Sequence, residues 1–208
     1  MKIKNAVVAS ALALAFGNAQ ATLFDRGGGL IYDDAFNVTW LSNANLLGQL
    51  SWDVAQDSIT VLNSLDYLGF NNWRLPKTAL IDSGCSTSSE SAGFGCTGSE
   101  LGHLFYDVLG GVAGNSVLDV NNGQLALFTN VQAGRYWSAT LSPFFPGPYT
   151  FSLGGGTQDS SNNYSSSYYS WLVRDGDVAA PIPEPETYAM LLAGLGILGL
   201  VRRRKRRV

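Results

Sequence analysis

The sequence predicts an α+β domain with two helices packed on short antiparallel sheets. In the first half, apolar residues recur at three- and four-residue spacing in two stretches, the helical period. Beyond Gly111 the pattern changes to short runs rich in aromatic and β-branched residues, divided by Gly, Pro, Asn and Ser. Helices gathered early and strands gathered late are the α+β arrangement.

Taken in order, residues 30–32 and 38–41 read as strands about the turn Asp33-Asp34-Ala35-Phe36-Asn37. The first helix begins after Ser51, a capping residue, with Asp53 near its positive end and Trp52, Ala55, Ile59, Leu62 and Leu65 on its apolar face. Gly69 supplies its left-handed stop, with Phe70 folding back on the last turn. The second helix, residues 97–109, opens on the capping box Thr97-Gly98-Ser99-Glu100. Leu101, Leu104, Phe105, Val108 and Leu109 form its stripe, which ends at Gly110. Strands are expected at 125–128, 135–140, 149–153 and 168–174, with turns or loops at 154–156 and 160–167. Asn122-Gly123 reads as a hairpin turn.

The two ends read as addresses. Lys2 and Lys4 precede the apolar stretch 6–16, and Ala19-Gln20-Ala21 puts small residues where a signal peptidase reads, so residues 1–21 are a signal peptide. At the other end, residues 182–208 carry Pro183-Glu184-Pro185, an apolar run from 188 to 201, and a basic cluster from Arg202 to Arg207. This order resembles the PEP-CTERM sorting signal, which implies processing by an exosortase. Fourteen helical residues reach about 20 Å against roughly 30 Å of hydrocarbon, and the basic cluster stays on the cytoplasmic side. The segment therefore suits either a temporary membrane anchor awaiting cleavage or a permanent one.

Between the ends lies one domain, residues 22–181, carrying five basic and fourteen acidic side chains, a net of −9. That charge excludes nucleic acid as a partner. Cys85 and Cys96, bound for an oxidising compartment, predict a disulfide. The alternatives are a redox pair, which would favour Cys-x-x-Cys, or half a zinc site, which needs more ligands than His103 adds.

Trp73-Arg74-Leu75-Pro76, the helix at 97–109, Tyr136-Trp137-Ser138 and Trp171-Leu172-Val173-Arg174-Asp175-Gly176-Asp177 follow in that order. The set resembles the Lcl-type C-terminal domain family over residues 30–177. The resemblance implies a C-type-lectin-like fold and extracellular binding or adhesion. The family's role in binding sulfated glycans is opposed here by the charge of −9.

Arg74 and Arg174 either touch a sugar or acidic ligand or pair internally with Asp175, Asp177 or Asp82; the scarcity of basic residues favours pairing. The five tryptophans are expected mostly inside. Phe144, Phe145, Tyr149, Tyr164, Tyr168 and Tyr169 flank Pro/Gly/Ser-rich loops and are the candidates for exposed contact. Asp119-Val120-Asn121-Asn122-Gly123 is too tight for a calcium loop and lacks its distal Glu, and the Glu-Pro-Asn sugar–calcium motif is absent, so no metal is expected. His103 falls opposite its helix's apolar stripe and reads as solvated, leaving no base for a Ser-His-Asp arrangement. No cofactor motif is visible. The sequence thus reads as a non-enzymatic, exported surface or matrix protein that adheres to exopolysaccharide or a surface glycan. The alternatives are a structural matrix protein with no specific ligand and a carboxylate-dependent glycan hydrolase.

Overall fold

The computed structural model describes residues 22–178. The expected signal peptide and sorting segment, with Pro183, Glu184 and Pro185, lie outside the described residues. Two sheets build the domain. The first has the order β1 (Leu23–Asp25), β2 (Leu30–Asp33), β3 (Val38–Leu41), β9 (Val173–Asp175), so the domain's first and last strands share a sheet. The second has the order β4 (Gln49–Leu50), β8 (Tyr168–Tyr169), β5 (Arg135–Leu141), β6 (Pro148–Ser152), β7 (Thr157–Ser160). The α+β class stands. The first sheet is antiparallel throughout, whereas the second is mixed, because β5 and β8 pair in parallel at Tyr136 and Tyr169.

Strand alternation sends neighbouring residues into two separate cores. Ile31, Trp40, Tyr136 and Val173 enter one; Leu30, Leu41, Trp137 and Leu172 enter the other. In the first core Trp171 meets Trp40 and Phe128 at ring-centroid distances of 5.4 and 4.9 Å, edge to face, and its indole N–H donates to the Leu41 carbonyl at 2.7 Å. Trp40, Trp73, Trp137 and Trp171 are buried, as the sequence predicts. Trp52 is only partly buried and donates to the Ser138 carbonyl at 2.8 Å.

Helix α1 (Trp52–Ser64) buries Ala55 and Ile59, but it stops five residues before Gly69. Asn63 donates to the Trp73 carbonyl at 2.9 Å and accepts from the Trp73 N–H at 2.8 Å. Asp66 and Leu68 then take positive φ of 48° and 56°, and the Ser51 side chain makes no cap bond.

The second helix differs more. An α-turn, α2 (Glu100–His103), runs into a π-helical turn at Leu104–Val108. The capping box does not form, since the Ser99 hydroxyl accepts from the Ala79 N–H at 3.1 Å and Glu100 turns toward Arg74. The apolar stripe is buried nonetheless. His103 is buried too, not solvated: its ring lies 4.4 Å from that of Phe36, with Asp33 at 3.6 Å and Asp107 at 3.0 Å.

Residues 125–127 form a 3-10 turn instead of a strand. Asn122-Gly123 makes no hairpin. The Asn122 side chain donates to the Leu109 and Val108 carbonyls and accepts from the N–H groups of Gln124 and Leu125, closing the end of the preceding turn. The expected strand at 168–174 is split between the two sheets as β8 and β9. Cys85 and Cys96 are joined in a disulfide. No helix of the described residues is long and apolar enough to cross a membrane.

Candidate functional site

Strand β6 lies between β5 and β7, with Trp137 opposite Thr150 and Thr150 opposite Asp159. Arg135 sits two residues before Trp137, diagonal to Thr150, which long side chains can reach. Its guanidinium donates from Nη1 to Thr150 Oγ1 at 3.0 Å. The Thr150 hydroxyl, buried, donates onward to the Asp159 carbonyl at 3.3 Å. Arg135, Thr150, Asp159 and Tyr168, with Ser166 and the run 160–163, enclose a cleft of about 320 Å³. That volume is at the low end of the roughly 300–1,000 Å³ usual for small-molecule sites.

Each wall is held from behind. Tyr168 rests on Trp137 with ring centroids 4.6 Å apart. Asp159 Oδ1 accepts from the Ser160 N–H at 2.8 Å. Ser161 donates its N–H to the Pro148 carbonyl at 2.8 Å, while Tyr164 packs edge-on against Trp52 at 5.8 Å and accepts the Trp52 N–H at 3.1 Å. Gly147 is required where the β5–β6 connection meets this loop: its φ is 143°, and a Cβ there would lie 1.7 Å from the Ser161 carbonyl oxygen. The hairpin tip bearing Phe144 and Phe145 therefore abuts the loop at the cleft's rim.

The other arginines are committed elsewhere. Arg26 pairs with Asp177 at 2.6 Å and faces the rings of Phe24 and Tyr32. Arg74 makes a forked contact with Glu100, both bonds at 2.8 Å, and also bonds Asp175. Burial works against the Arg74 charge, yet Glu100 and then Asp175 outweigh it and hold its pKa above the ordinary value. Arg174 lies 4.1 Å over the Phe70 ring and donates to Asn72 at 3.0 Å and to the Asp177 carbonyl at 3.3 Å. Arg74 thus pairs internally, whereas Arg174 makes no ion pair among the described residues and is held by a ring, an amide and a backbone carbonyl. Arg135 is the basic residue that lines the cleft of the second sheet.

Among the candidates for exposed contact, Phe144 and Phe145 stand out at 49% and 43% exposure. Tyr149 is buried, with its hydroxyl donating to the Glu90 carbonyl at 2.9 Å, so it leaves the exposed set. Tyr164, Tyr168 and Tyr169 are half-buried, and only Tyr168 lines the cleft. Arg135, Thr150, Asp159 and the run 160–163 were missed from sequence. Their signal was the polar strand Thr157-Gln158-Asp159-Ser160 running into a Ser/Asn stretch, which reads as a loop when its partner strand is unknown.

Among the described residues, Asp82, Cys85 and Cys96 form the one cluster with metal-ligand spacing. Both sulfurs are in the disulfide, and Asp82 accepts the N–H groups of Gly84 and Gly98 at 2.9 and 2.7 Å, so the cluster is a structural knot. Asp119 lies in a short 3-10 turn away from this cluster.

The described residues define an α+β domain with a polar cleft on its second sheet. Residues 29–174 match the Lcl C-terminal domain family, and residues 181–207 match the PEP-CTERM protein-sorting motif. The chain belongs to the Lcl C-terminal domain family. The sorting motif marks a secreted, cell-envelope-associated surface protein that an exosortase processes. No curated protein and no solved structure matches the chain.

Proposed function

We propose that the exported chain is a non-catalytic binding module that adheres to exopolysaccharide or a surface glycan through the cleft of the second sheet. The observation that carries this reading is the composition of the walls. Arg135 offers donors, Asp159 acceptors, and the serines and asparagines of 160–163 offer both. A sugar hydroxyl both donates and accepts, so a mixed lining of this kind satisfies it as it leaves water. Tyr168 adds one aromatic face, and Phe144 and Phe145 are exposed on the connection that meets the 160–163 loop. Export by way of the sorting motif puts the domain where such polymers are found. The C-type-lectin-like architecture implied by the family agrees with this use.

Titrating the purified chain with the host's own exopolysaccharide, across a salt series and with a calcium chelator, tests the reading. Saturable binding that survives moderate salt and chelation is expected. Absence of binding under every condition would replace it with a structural matrix protein that has no specific ligand. Slow release of reducing ends, abolished by D159N, would replace it with a glycan hydrolase.

A further inference from the structure

The unpaired guanidinium of Arg135 calls for a ligand of its own. Among the described residues, its side chain makes one hydrogen bond, to a neutral hydroxyl, and no ion pair. In a body with fourteen acidic side chains against five basic ones, a carboxylate within reach would ordinarily be recruited. Asp159 lines the same cleft yet makes no ion pair with Arg135, and its Oδ1 is occupied by the Ser160 N–H. Buried Thr150 engages Nη1, and the other donors of the guanidinium make no hydrogen bond among the described residues.

We propose that Arg135 receives the carboxylate of a single uronic acid residue set among neutral sugars; this rests on the glycan-binding reading above. A planar carboxylate matches the guanidinium fork with two parallel hydrogen bonds, which a hydroxyl cannot do. The hydroxyl and amide groups of 160–163 then meet the ring hydroxyls, and Tyr168 meets the apolar ring face. Asp159 and the net charge of −9 disfavour densely charged polymers, which must bring many anions close to the surface. One acidic sugar among neutral ones keeps the favourable pair without that repulsion.

The test uses the full chain and two probes, a glucuronic-acid-terminated trisaccharide and its methyl ester, which keeps the sugar and removes the charge. At near-physiological salt, the acid should bind about tenfold more tightly than the ester, the order of a forked charge-assisted contact. R135Q should erase that preference, so that acid and ester bind alike, and R135K should restore part of it. Near-UV circular dichroism checks that the variants stay folded, and the acid–ester comparison on the wild-type chain needs no variant. Equal affinity for acid and ester overturns the inference while leaving glycan binding intact. Binding of dextran sulfate that is lost in R135Q, with no preference for the acid, overturns it in favour of a sulfate site. Failure to bind either probe or the host polysaccharide removes the glycan-binding reading and this inference with it.

Discussion

Removing the Glu100 carboxylate should destabilise the domain more than any other single change to its ion pairs. Glu100 is 6% exposed, and it accepts both arms of the Arg74 fork and the Lys77 N–H, each at 2.8 Å. The Arg74 side chain is itself only 17% exposed. Truncation to alanine leaves a mostly buried guanidinium with Asp175, which is 63% exposed and well screened, as its remaining charged partner. Breaking a buried pair in this way costs about 3–5 kcal/mol. For a domain of this size, each kcal/mol moves the melting midpoint by roughly 2–4 °C, so E100A should lower it by roughly 6–20 °C. D175A removes only an exposed partner and should cost at most about 1 kcal/mol. Replacing Arg74 and Glu100 together with apolar residues of similar volume should recover part of the loss, because no uncompensated charge remains. Urea denaturation with the disulfide intact reads all three. If E100A costs no more than D175A, the buried Arg74–Glu100 fork is not what carries the stability of this cluster.

Reduction of Cys85–Cys96 should lower stability by about 2–3 kcal/mol, the loop-closure value for a separation of 11 residues, and no thiol should label before reductant is added. His103 gives the fold a pH dependence. Burial works against its charge, but Asp33 and then Asp107 outweigh it and hold its pKa above the ordinary value. A raised folded pKa means the contribution is fully present below about pH 6.5 and is lost as pH rises through the folded value. Urea midpoints should therefore fall on going from mildly acidic to alkaline pH, and H103Q should flatten that slope; an unchanged slope counts against the pair. W171A should cost about 3–5 kcal/mol by calorimetry, since Trp171 joins Trp40, Phe128 and Tyr136 in the first core. Intact-mass analysis of the exported protein should find the Arg202–Arg207 cluster removed, and its presence would mean a permanent anchor.

The elements legible in the sequence are those whose side chains face a single environment. β2, β3, β5 and β6 carry aromatic and β-branched residues into the cores, and their positions are readable to within a residue or so. The errors fall where a polar side chain serves a distant partner. The residues of the capping box are present, but Glu100 serves Arg74, 26 residues away, and Ser99 serves Ala79. Asn122 serves the Leu109 carbonyl while its oxygen accepts from Gln124 and Leu125, so it shapes a bend and not a hairpin. The helical pattern sets His103 opposite the apolar stripe and so in solvent; it could not show that Phe36 and Asp33 lie against its ring. β7 was unreadable for a related reason: Thr157-Gln158-Asp159-Ser160 is polar and becomes a strand only because β6 offers it a ladder. The cleft depends on that pairing, so its residues were hidden along with the strand.

Hydrogen exchange on the purified chain, with and without the host's exopolysaccharide, tests the location of the site most directly. The account predicts slowed exchange in β6, β7 and the connection at 161–167, with little change around Phe70, Asn72 and Arg174. Protection centred on Phe70, Asn72 and Arg174, with β6, β7 and 161–167 unaffected, would contradict it.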